Sequence, residues 1–412
     1  MVERTGVVPK MVIPLLVNAI KDEMDFNEGL VRLPRSVNWK WFGFQKDVVS
    51  RRTLKNMSDV HQEWATPALN ALKYRKFIDG AAELRQVLSQ QAYGPWIQEI
   101  QYRHVGGYRR TDGDTAAILS RLFDPAKVPN VIAVLVALSN NVPPRIESSP
   151  ILASISTLQH LRALHIQDGF SSLILNQFCA TVANLRRLEV VSLVCASWPI
   201  FEAQPLPEHL SLSTPPASLK KFFFSFSFGS IPPREHLNWL LQARNDYALR
   251  ELGLNVTFLL LPSVEEHVCH DIVLDALKNT LPVLTALVLG DSSDESTDYA
   301  RLYGEVLKSC TSLQELHLCD NLELNAITLP PSARRLCWRH CEPCDRSSTN
   351  DQEDISLAEF LKSEFISGRA ANLRSVHVFH LVEGDTKSFS RVRAICEENK
   401  LKLSKGCDRG FF

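Results

Sequence analysis

Residues 313–321 read LQELHLCDN, and the spacing of Leu313, Leu316 and Leu318 decides how the chain is built. Leu316 and Leu318 alternate with polar neighbours, the pattern of a short strand with one buried face. The same unit recurs at Leu161/Leu164/Ile166, Leu249/Leu252/Leu254 and Leu284/Leu287/Leu289. Looser copies are Leu185/Leu188/Val190, Leu219/Phe222/Phe224 and Leu373/Val376/Val378. The loosest are Ile97/Ile100/Tyr102, Val131/Val134/Val136 and Ala333/Leu336/Trp338. The first positions run from 97 to 373 with a mean step of about 31 residues and single steps of 20 to 40. Between them lie helix-like stretches such as 265–278 and 299–308. A strand plus a helix at a near-fixed period is one coil of a solenoid, and parallel stacking of coils buries a continuous core.

Composition agrees with this division. Residues 1–150 hold 13 leucines and residues 151–340 hold 37, roughly twice the density. The chain has 412 residues, with 45 basic and 46 acidic side chains and a formal net charge of -1. That balance argues against a nucleic-acid binder held by bulk charge and against a polybasic membrane binder. The longest apolar run, 131–138, is far short of a membrane helix, and the opening residues lack a cleavable signal. Ten dispersed cysteines suit reduced thiols in the cytoplasm or nucleus.

On these residues the region 95–382 resembles the leucine-rich repeat family. The asparagine that usually follows the third apolar position appears only as Asn321, and the steps vary, so the expected form is irregular. The other reading is an α/β domain whose parallel strands share the pattern.

Ahead of the repeats, Leu54, Met57, Val60 and Trp64 form one apolar stripe at helical spacing. Pro67 interrupts it, and Leu69, Leu72, Tyr74 and Phe77 follow as a second set. Upstream, Ile13-Pro14-Leu15-Leu16 and Ile20 open a shorter helix, with proline in its first turn. The stretch TLKNMSDVHQEWATPAL, residues 53–69, resembles the second half of an F-box, and an F-box followed by irregular repeats is a common combination in fungal F-box proteins. The resemblance implies that Pro14, Leu15, Leu54, Met57, Val60 and Trp64 hold the Skp-type adaptor of a cullin ubiquitin ligase. The departures are the missing acidic residue after Ile13-Pro14, Asp59 in a usually apolar slot, and the long segment 21–46, read as an insertion or a gene-model error.

No catalytic constellation is present: the phosphate-loop, dinucleotide, nucleophile-elbow and H-E-x-x-H patterns are all missing. The cluster 337–344, CWRHCEPC, holds three cysteines and a histidine but no second pair at zinc-ribbon distance, and reads as a loop with free thiols. His267 and His270 share a helix face that reads as ordinary solvated surface. The acidic stretches 291–298 and 345–354 read as exposed connections.

If the coils stack, a partner meets the solvent-facing side of the strands. Alternation places Gln101, His165, Glu189, Phe223, Gly253, Val288, His317, Cys337 and His377 there, flanked by Arg187, Lys221, Glu251, Glu315 and Arg335. From these, His165, Arg187, Phe223, Glu251, His317, Arg335 and His377 are the expected target contacts, with Phe223 as an exposed anchor.

The expectation is therefore an α/β chain. A degenerate F-box-like helical segment occupies 1–80, an irregular leucine-rich-repeat solenoid with a parallel sheet 95–382, and a cap and tail 383–412. The function the resemblance implies is non-enzymatic: a substrate-recognition subunit of a Skp–cullin–F-box ubiquitin ligase, with an unidentified protein target. No cofactor, metal, nucleic acid or membrane is expected. The alternative is a repeat scaffold with a degenerate F-box and no ligase role.

Overall fold

The computed structural model describes residues 12–28, 48–60, 62–89, 94–103, 115–137, 148–167, 172–195, 206–211, 214–227, 234–243, 247–257, 266–290, 299–319, 324, 327–339, 350–380 and 389–407. The chain divides into two compact units, 1–167 with 184–190 and 168–183 with 191–412. Both are α/β with parallel strands.

The first unit opens with three helices, α1 (Val12–Glu28), α2 (Val48–Val60) and α3 (Gln62–Lys73). Strands β1 (Arg75–Asp79), β2 (Glu99–Arg103), β3 (Ala133–Ala137) and β4 (Ala163–Gln167) then pair in chain order. Helices α4 (Gly80–Ser89), α5 (Thr115–Ser120) and α6 (Ser148–Ile155) lie in the connections. The expected apolar slots fall in register: Ile100 beside Val134 beside Leu164, and Tyr102 beside Val136 beside Ile166, all buried.

The second unit begins with α7 (Ser172–Asn184) and takes most of β5 (Val190–Cys195). After α8 (Glu208–Ser211) come β6 (Lys221–Ser227), α9 (Arg234–Leu241), β7 (Glu251–Thr257), α10 (Glu266–Leu277), β8 (Ala286–Gly290), α11 (Tyr299–Ser309) and β9 (Glu315–Cys319). The series closes with β10 (Arg335–Arg339), α12 (Asn350–Ile366), β11 (Ser375–His380), α13 (Phe389–Glu398) and β12 (Lys402–Cys407). Phe222, Leu252, Leu287, Leu316, Leu336 and Val376 form one unbroken row across β6–β11. Phe224, Leu254, Leu289, Leu318, Trp338 and Val378 form the next, and every member of both rows is buried. Strand order equal to chain order is the topology of stacked coils.

Most of the described coils enter the sheet by the same device. One carbonyl accepts the N–H groups of the first residue of the next strand and of the residue before it: Tyr74 takes Gln98 and Glu99, Gln98 takes Ile132 and Ala133, and Arg250 takes Thr285 and Ala286. The recurring geometry fixes register without an asparagine in every turn. Other exposed backbone ends are met by side chains. Tyr247 Oη donates to Leu240 O at 2.5 Å and Thr280 Oγ1 donates to Leu241 O, so the end of α9 is satisfied. The short step before β10 is filled by buried Leu324, Ile327 and Leu329, and buried Glu364 on α12 accepts the Leu329 N–H at 3.0 Å.

Several expectations change. The stripe from Leu54 to Trp64 belongs to two helices, because α2 ends at Val60 and α3 starts at Gln62. Pro67 does not end a helix; it lies inside α3, which runs on to Lys73. Tyr74–Phe77 leads into a strand, so strand pairing starts at residue 75 rather than 95, and β12 carries it past 382. Helix α1 reaches Glu28, taking up the start of the segment read as an insertion, and α12 absorbs 350–354. Residues 29–47, 291–298 and 340–349 lie outside the described residues, and with them Cys341 and Cys344.

One coil is shifted by three residues. Glu189 and Val190 donate to Arg162 O as Arg162 and Ala163 donate to Ile132 O, which sets Val190 level with Ala163. The coil's apolar slots are therefore Leu188, Val191 and Leu193, all buried, not Leu185, Leu188 and Val190. The run LRRLEVVSLV satisfies the template in both frames, and only backbone pairing separates them.

Candidate functional site on the outward strand rows

Helices α1–α3 carry their own small core. Ile13, Val17, Leu54, Ala68 and Ala71 are buried together, with Ile20, Met57, Trp64, Leu72 and Tyr74 packed at its margin. Leu54 is 0% exposed and so is a core residue, not a docking contact, because helix pairing consumes its side chain. Met57 and Trp64 are half-buried in the same cluster, and the side chain of Val60 lies outside the described residues. Pro14 and Leu15 face solvent, Leu15 at 67%, together with Leu16 and Leu69, which the sequence places in its apolar sets but not among the expected adaptor contacts. Ile13 and Val17, four apart, face in, which leaves Pro14, Leu15 and Leu16 on the outer side of the helix.

The first two strands are fastened by charge. Arg75 and Glu99 stand opposite each other on β1 and β2, both buried, with Nε 2.5 Å from Oε2. Arg75 also lies over the Tyr74 ring, and Arg51 of α2 over Phe77. At the far end of the same pair, Arg103 and Asp79 form an exposed bidentate bridge.

In the second unit, two outward rows run beside the aliphatic ones. The first is Lys221, Glu251, Ala286, Glu315, Arg335, Ser375 and Lys402. It holds cross-strand pairs, Lys221 Nζ to Glu251 at 2.7 Å and Arg335 Nη1 to Glu315 at 3.2 Å. The second row is Phe223, Gly253, Val288, His317, Cys337, His377 and Ser404. Most of it is shielded, contrary to the expectation of solvated strand positions: His317 is 3% exposed and Cys337 4%. Phe223 is buried too, so it is not an exposed anchor; Gly253 opposite leaves room beside its ring. His165 in the first unit is likewise buried, opposite Leu135. Parallel neighbours stand about 4.8 Å apart, so a row of full-sized side chains covers itself. Arg187 is exposed but lies ahead of its strand, against His160 at 3.0 Å, because of the three-residue shift.

The two rows meet at β9–β11 in a polar cluster. His317 Nε2 lies 3.0 Å from Glu315 Oε1, and Cys337 is the register partner of both His317 and His377. Donor atoms of Glu315, His317 and Cys337 lie within 4.8 Å of one another. His377 is held through Nδ1 by the Ser404 hydroxyl. Burial lowers the pKa of His317, with Glu315 opposing, and burial followed by His317 and Arg335 lowers that of His377; both imidazoles are neutral at pH 7. Burial would raise the Glu315 carboxyl, but His317 and Arg335 bring it below its ordinary value. Burial, reinforced by Glu315, raises the Cys337 thiol, so it is protonated.

Sequence alternation put Glu315, His317, Arg335, Cys337 and His377 on one face, and the structure brings them together there. Ser404 was missed because β12 carries only part of the leucine pattern. Among the described residues no helix is long and apolar enough to cross a membrane. No model of a known protein family matches the chain, and no curated protein matches it.

Proposed function

We propose that the chain is a non-catalytic substrate-recognition subunit of a Skp–cullin–F-box ubiquitin ligase. Helices α1–α3 hold the Skp-type adaptor, and the strand stack offers a protein target the charged row around Glu251 and Arg335. The observation that carries this reading is the amino-terminal module. It has a separate three-helix core, yet leaves Pro14, Leu15, Leu16 and Leu69 exposed. Apolar side chains in that number on a module of this size suit burial by another protein.

Co-expression of the full chain with an Skp-type adaptor tests it. Retention of wild type, with loss in a folded Leu15→Asp/Leu69→Asp variant, is expected. A well-folded wild type that is not retained overturns the reading and leaves the repeat scaffold without a ligase role.

A further inference from the structure

We infer that Glu315, His317 and Cys337 form a binding site for a divalent transition metal, Zn2+ by the chemistry of its donors. It is independent of the adaptor reading. The three residues are brought together by backbone pairing rather than by loop geometry. Glu315 and His317 lie two apart on β9 and so share a face, and Cys337 is the register partner of His317 on β10. Their donor atoms, a carboxylate oxygen, an imidazole nitrogen and a thiol sulfur, lie within 4.8 Å of one another. Tetrahedral Zn2+ with bonds of ~2.0–2.3 Å sets its ligands roughly 3.3–3.8 Å apart. The 3.0 Å between His317 Nε2 and Glu315 Oε1 is already close to that scale, and the sulfur lies within 4.8 Å of both.

The donor set selects the ion. Sulfur and imidazole disfavour Mg2+ and Ca2+, which prefer all-oxygen shells, and suit Zn2+ or Co2+. Binding replaces the Cys337 S–H bond with a sulfur–metal bond and releases the proton to solvent. Thiolate and carboxylate then neutralise the dication. Arg335, 3.2 Å from Glu315, adds one positive charge beside the site and orients the carboxylate from outside. The fourth position falls to water or to His377, next along the row. Bound metal would clip β9 to β10.

The test uses the full chain, freed of metal under reducing conditions and titrated with Co2+. One equivalent should give a sulfur-to-cobalt charge-transfer band in the near ultraviolet, displaced by Zn2+. Cys337→Ser should abolish the band, and His317→Gln should weaken Co2+ binding by more than about tenfold. No band in folded wild type, or an unchanged band in Cys337→Ser, overturns the site. If Cys337→Ser does not fold, X-ray absorption on Zn2+-loaded wild type decides. One sulfur at ~2.3 Å with nitrogen and oxygen at ~2.0–2.2 Å is expected. With ten cysteines in the chain, a shell of two or more sulfurs would instead place the metal elsewhere.

Discussion

Arg75 with Glu99 in the first unit, and Glu315 with His317, Arg335 and Cys337 in the second, both set ionisable groups across adjacent parallel strands, but they are built differently. Arg75 and Glu99 are register partners, deeply buried, and backed by the Tyr74 ring. The β9–β10 cluster is shared: one Glu315 oxygen serves both His317 and Arg335, and a thiol stands beside them without a charge of its own. A closed pair has nothing left to offer a ligand, whereas an overdrawn carboxylate flanked by nitrogen and sulfur donors does. The first is a structural fastener and the second a site.

The largest expected effect is at the closed pair. Arg75→Ala leaves Glu99 buried without its partner and should destabilise the first unit by about 3–5 kcal/mol in chemical denaturation. Arg75→Leu/Glu99→Leu should recover most of that loss, because the desolvation of both charges disappears together. A double variant as unstable as the single one would mean the pair contributes more than mutual compensation.

Next comes Leu54→Ala, at about 2–5 kcal/mol, because it empties part of the three-helix core. Leu15→Asp, at an exposed position of the same module, should change stability by less than about 0.5 kcal/mol. Equal losses at the two positions would contradict the division between core and docking face.

A third test uses His236, a buried imidazole hydrogen-bonded through Nε2 to Asn176 at 2.5 Å. Burial lowers its pKa to about 4, with Glu235 opposing. The folded value lies below the ordinary 6.5, so the unfolded chain takes the proton first as pH falls. Stability is therefore unaffected by this group above about pH 6.5 and is lost as pH falls from there toward 4. His236→Gln should flatten that part of the stability–pH curve; an unchanged curve would mean the group is not held neutral.

The smallest effect belongs to the open cluster. Glu315→Gln should cost about 1 kcal/mol or less, since Arg335 and Glu315 are only partly buried and their bridge is near the surface value. A loss as large as that of Arg75→Ala would make it a second fastener.

How much of this was legible follows from what each residue answers to. The inward rows were, because Leu252, Leu287 and Leu316 have one environment available and their spacing states it. The three-residue shift at Leu188 was not, since two frames of one apolar run satisfy the same pattern. Nor was β1: Tyr74–Phe77 fits a helix stripe or a strand, and the choice is made by pairing with β2. The polar cluster was half legible. Alternation put His317 and Cys337 on the outward face, but their burial depends on the neighbouring strands, which no local pattern encodes.

The proposed function rests most directly on where an adaptor sits. Hydrogen exchange on the full chain, free and co-purified with an Skp-type adaptor, locates it. The account predicts slowed exchange in α1 and α3, around Leu15 and Leu69, with β6–β11 unchanged. Protection on the strand rows and none in α1–α3 would contradict it.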